Sequence, residues 1–157
     1  KIAAIFLNAA VSIGLVYTAI VLLSGSICGK PTWGTYWVWD ARITSTFILL
    51  IQYIGLIALR SSFNSRQTAD QILSIVAIIG AVNIPIIKFS VNWWNTLHQN
   101  ASITTSGSAI DSEMLIALPM MLVSLLFMSF HIFARNIQYE ILNRTGKTAM
   151  MREIING

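Results

Sequence analysis

The chain has 157 residues, of which 55% are hydrophobic and 10% charged, with a net charge of +4 and a mean hydropathy of +0.70. A soluble domain carries about 25% charged residues, so this deficit excludes an ordinary soluble domain and places the chain in the membrane class. No basic cluster with interleaved aromatics points to nucleic acid. The one cysteine, Cys28, excludes an internal disulfide, a CxxC redox pair and a CxxCH haem attachment.

A single domain is expected over residues 1–157. Lys1 leads directly into an apolar run with no charged region and cleavage site, so no signal peptide is expected. Such a start fits a processed chain or a fragment. Ile2 to Leu23 is long enough to cross a bilayer core of ~30 Å as a helix. Ser24-Gly25-Ser26 is expected to end it, with Gly29, Lys30 and Pro31 in a polar turn. Cys28 reads as a small buried thiol. Ile43 to Leu59, Ile72 to Ile87 and Met114 to Ala134 supply three further apolar runs. Pro85 falls near the end of the third, where a lost hydrogen bond matters less. Phe89 to Ser112 reads as a long polar segment, and a short surface helix is expected from Arg135 onward. Asn8, Gln52 and Asn83 read as bridges between helices. The fold expected is therefore all-α: a polytopic membrane protein with four transmembrane helices and two outer-face loops.

Four crossings alternate sides. Lys1, Arg60, Arg66, Arg135, Arg144, Lys147 and Arg152 then share one side, against Lys30, Arg42 and Lys88 on the other. The positive-inside rule makes the first side cytoplasmic, or matrix. Two unusual segments, Trp33–Arg42 and the loop bearing Trp93, Trp94 and His98, then share the outer side.

Trp33–Arg42 holds Trp33, Gly34, Tyr36, Trp37, Trp39, Asp40 and Arg42. As a helix it aligns Trp33, Tyr36, Trp37 and Asp40, and as an extended chain Trp33, Trp37 and Trp39. Either gives a broad π-surface; the alternative is an interfacial aromatic belt. Gly34 admits a close approach of backbone or ligand. Arg42 suits a carboxylate, with Asp40 orienting Arg42 or an indole N–H. His98 is either an ordinary loop histidine or a haem-iron ligand, its other nitrogen held by Gln99, Asn95 or Thr96. His131 lies near the inner end of the fourth run, roughly 30 Å away across the bilayer core, so the two cannot ligate one iron. Lys88 snorkels or meets a ligand carboxylate.

The stretch Trp33-Gly34-Thr35-Tyr36-Trp37-Val38-Trp39-Asp40-Ala41-Arg42-Ile43-Thr44 closely resembles the tryptophan-rich WWD signature of the CcmC family, haem-handling membrane subunits of system I cytochrome c maturation. Asn83-Ile84-Pro85-Ile86-Ile87-Lys88 and Ser90-Val91-Asn92-Trp93-Trp94-Asn95-Thr96-Leu97-His98-Gln99 are similar to that family too. The resemblance implies a six-span protein that holds haem b at the outer face of a bacterial inner or mitochondrial inner membrane. The WWD segment forms the platform, with Trp33, Gly34, Tyr36, Trp37, Trp39, Asp40, Arg42, Trp93, Trp94 and His98 as its site residues. His98 would be the second of two axial histidines. The first, with about two spans, would precede this chain. Haem would pass to the chaperone CcmE, with CcmA, CcmB and CcmD as further subunits, and no catalytic residue is implied. Tyr36 stands where the family usually has Trp. Two other classes compete: a solute permease, disfavoured by spans lacking ionisable residues, and a structural scaffold without haem.

Overall fold

The computed structural model describes residues 2–63, 65–94, 98, 103–104, 107–108 and 110–156. Among the described residues five helices follow in order: α1 (Ile2–Trp33), α2 (Ala41–Ser62), α3 (Arg66–Ala81), α4 (Asn83–Trp93) and α5 (Ser112–Asn156). Between α4 and α5, β1 (Ile103–Thr104) pairs antiparallel with β2 (Gly107–Ser108) in the register Ile103 opposite Ser108. The protein is otherwise all-α. Four stretches are long and apolar enough to cross a membrane: Ile2–Trp33, Ala41–Ser62, Arg66–Trp93 and Ser112–Gly146. Helices satisfy every backbone hydrogen bond within one segment, which hydrocarbon demands.

The first helix does not stop at Ser24-Gly25-Ser26, nor does Gly29-Lys30-Pro31 form a turn. At Ser24 the hydroxyl donates to the Ile20 carbonyl at 2.7 Å, returning the polar group to its own helix. Membrane helices tolerate Gly and Pro in this way. The stop comes at Gly34, whose φ of +77° is open to glycine and strained for other residues. Its N–H donates to the Lys30 carbonyl at 3.0 Å, the single bond of a left-handed C-cap.

The third span is interrupted rather than continuous. Pro85 lacks an N–H and its ring collides with the carbonyl four residues back, that of Ala81. The helix accordingly breaks at Val82, and α4 resumes through Trp93, so Phe89–Trp93 is helical rather than part of a long loop. Nor is there a separate surface helix after Arg135. At ~1.5 Å per residue, the 45 residues of α5 span about 67 Å, far more than a bilayer core.

Packing is sparse in buried carbon and rich in polar ties. Val11, Leu56 and Leu73 form the buried centre, with Leu7, Tyr53, Leu59 and Val76 against it. Large apolar side chains such as Phe127 and Phe130 face outward, as lipid contact requires. Between helices, Gln52 Nε2 donates to the Val76 carbonyl at 3.0 Å and Asn83 Nδ2 to the Ser45 carbonyl at 2.8 Å. Asn8 Nδ2 reaches Glu140 Oε1 at 3.5 Å. These are the bridges expected of Asn8, Gln52 and Asn83. Tyr17 and Ser129 share a 2.7 Å hydroxyl contact, and Asn136 Nδ2 donates to the Ala9 carbonyl at 3.1 Å, fastening α5 to α1.

One end of the bundle is closed by charge. Buried Glu140 on α5 accepts from Arg60 of α2 and, at 2.8 Å, from Arg144 Nε. Arg144 also clamps Asp70 of α3 with two 3.0 Å hydrogen bonds. Paired forks of this kind fix orientation as well as contact.

Candidate functional site at the aromatic end of the bundle

The opposite end is built on the connection between α1 and α2. After Gly34 turns the chain, Thr35 Oγ1 accepts from Trp37 N–H at 3.4 Å and donates to the Trp37 carbonyl at 3.2 Å. A tight turn follows, in which Asp40 N–H donates to the Val38 carbonyl at 2.8 Å, and Asp40, itself extended, is the N-cap of α2. Asp40 Oδ1 accepts from Ile43 N–H at 2.8 Å, satisfying one of the orphan donors of the first turn. The segment is therefore neither helix nor plain strand, but a short strap pinned at both ends.

The strap separates its aromatics into two groups. Trp37, Trp39 and Phe47 form a mutual edge-to-face cluster, with centroids 5.3 to 5.9 Å apart. Trp33 instead meets His98 edge-on at 4.8 Å. His98 Nδ1 donates to Asp40 Oδ2 at 2.7 Å, with the carboxylate side chain only 6% exposed. This contact unites the two segments although 58 positions separate them. It also gives Asp40 a role different from the expected one of orienting Arg42 or an indole. Asn95, Thr96 and Gln99, the expected imidazole partners, lie outside the described residues.

A cavity of about 280 Å³ opens between α1 and α2, walled by Trp33, Trp37, Arg42, His98, Cys28 and Thr46 among others. Its lining includes one imidazole, one guanidinium and two indoles. Buried Trp37 Nε1 has no hydrogen-bond partner among the described residues. A buried donor without an acceptor costs about 1–3 kcal/mol, and here the indole that carries it lines the cavity.

Of the expected site residues, Trp33, Trp37, Arg42 and His98 line this cavity, and Asp40 supports it. Trp39 braces Trp37 while 68% exposed, and Tyr36 lies beneath Lys30 Nζ at 5.3 Å from the ring. Gly34 turns the chain, and among the described residues no atom beyond its chain neighbours lies within 4 Å of where its Cβ would be. Trp93 and Trp94 are exposed, Trp93 stacking on Phe89 and Trp94 meeting Trp93 edge-on, and neither lines the cavity. Lys88 sits 5.6 Å from the Phe89 ring. Cys28 is exposed, not buried, because this turn of α1 borders the cavity. His131 does not line it. Phe47 had no motif to mark it, only its place two turns into α2. No group of three or more metal-ligating side chains occurs among the described residues.

Four spans with an aromatic, histidine-bearing cavity at one end define a polytopic membrane protein of the WWD type. The chain belongs to the CcmC family, described as heme exporter protein C, which matches residues 1–152. It is 44% identical over 149 residues to heme exporter protein C of Bradyrhizobium diazoefficiens, covering 93% of this chain and 56% of that protein. It is 49% identical over 114 residues to heme exporter protein C of Escherichia coli K12, covering 73% and 46%. A putative cytochrome c biosynthesis ccmC-like mitochondrial protein of Marchantia polymorpha is 46% identical over 125 residues, covering 80% and 52%. The chain thus spans about half the length of the relatives it matches.

Proposed function

We propose that the chain is a non-enzymatic subunit that binds haem b at the aromatic end and presents it to the chaperone CcmE for cytochrome c maturation. CcmA, CcmB and CcmD are its proposed companions in the membrane complex. The observation that carries the reading is the cavity that sets His98 beside Trp33, Trp37 and Arg42. Haem asks for a base for iron, flat apolar walls and cations for its propionates, and this donor set fits all three. The group would supply the iron and macrocycle; the chain would supply the His98 imidazole to hold the iron, indole walls and the Arg42 guanidinium. About 280 Å³ falls just below the ~300–1,000 Å³ of small-molecule pockets, which suits a ligand held in part and handed on.

The side follows from charge. Seven Lys and Arg against three assign the aromatic end to the periplasm or intermembrane space by the positive-inside rule.

The test is a visible spectrum of the purified protein with haem. Wild type is expected to give a histidine-ligated Soret band, and His98→Ala to lose it. A wild-type protein that never takes up haem, or a band unchanged by His98→Ala, overturns the reading.

A further inference from the structure

We propose that Asp40 is the positioning residue for His98, and that one carboxylate makes the aromatic platform and the iron-binding imidazole a single mechanical unit. The proposal rests on the haem reading of this site and assigns its orientation to a residue that does not touch the ligand. Two contacts made by different oxygens of the same side chain carry it. Oδ1 caps α2 through Ile43 N–H at 2.8 Å, and Oδ2 accepts from His98 Nδ1 at 2.7 Å. The carboxylate is therefore fixed by the helix before it meets the imidazole.

Three consequences follow from elementary chemistry. An ionised carboxylate only accepts, so the proton of a neutral His98 sits on Nδ1 and ligation falls to Nε2. A carboxylate on the far nitrogen makes the imidazole a stronger electron donor, which favours the ferric over the ferrous ion. The short contact also sets the plane of the ring, which already packs edge-on to Trp33 at 4.8 Å. The sequence separation matters: Asp40 belongs to the strap and His98 to the segment after α4, so this contact ties together two parts of the chain 58 positions apart.

Asp40→Asn separates the two duties, because Asn caps a helix about as well as Asp while its neutral amide is a weaker acceptor. With ferric haem as the probe, the variant is expected to lose about 10- to 100-fold in affinity, the usual effect of removing an outer partner of a histidine ligand. Its haem midpoint potential should rise, and its unfolding temperature should stay near wild type. Asp40→Ser, which caps α2 with a side chain too short to reach His98, should show the same rise. In a His98→Ala background, Asp40→Asn should have no further effect on haem affinity, since coupled neighbours are not additive. Wild-type affinity and potential in Asp40→Asn overturn the proposal, and so does an equal loss in both backgrounds. The reading of the site fails separately, through an unchanged spectrum in His98→Ala itself.

Discussion

Gly80 shows how closely a single residue is fitted. A Cβ there would lie 1.2 Å from Gln52 Nε2, the amide that donates to the Val76 carbonyl. The obstructing atoms are the flexible end of a side chain, so Gly80→Ala displaces the amide rather than the backbone. The cost is the interhelical hydrogen bond, about 0.6–1.7 kcal/mol in membranes. Thermal unfolding in detergent should therefore show Gly80→Ala to be worse by that amount in wild type than in Gln52→Ala. Equal effects in the two backgrounds would remove the notch from the account. That Gln52 bridges helices was legible from an amide inside an apolar run. That Asp40 holds His98 was not, because the strap's own signature offers Arg42 and three indoles as nearer partners, and only the folded bundle brings residue 98 to residue 40.

At the scale of elements, apolar runs located all four spans but misplaced their ends. Ser24, Gly25 and Pro31 are breakers in water; in a membrane helix a hydroxyl returned to its own backbone keeps the helix running to Gly34. The tail after Arg135 read as separate because its charges looked solvated. Two of them, Glu140 and Arg144, are engaged with Arg60 and Asp70, which ties α5 to α2 and α3. Glu140→Ala should consequently lower stability by about 2–3 kcal/mol, since charge-assisted hydrogen bonds contribute ~1.5–3 kcal/mol and two guanidiniums lose an acceptor. Its haem spectrum should remain that of wild type, because the cluster closes the other end of the bundle. A lost Soret band in a folded Glu140→Ala protein would show the two ends to be coupled.

For the whole molecule, the alternation of four crossings was enough to place the strap and the His98 segment at one end, and the Asp40–His98 contact agrees. The exposed thiol of Cys28, bordering the same cavity, makes both the side and the occupant measurable. A membrane-impermeant maleimide should label it from the periplasmic or intermembrane side, and bound haem should slow the labelling. Modification from the opposite side alone would reverse the orientation. The strap itself has a further consequence. Only seven residues, Gly34–Asp40, join two spans, and hydrogen bonds fix the connection at the Gly34 turn and at the α2 cap. Its ordering entropy is lost on folding and not again on binding. Under the proposed function a preorganised indole surface cannot loosen its grip by melting, so the rate at which a guest leaves would be set where the grip is reversible, at a bond between His98 and the iron.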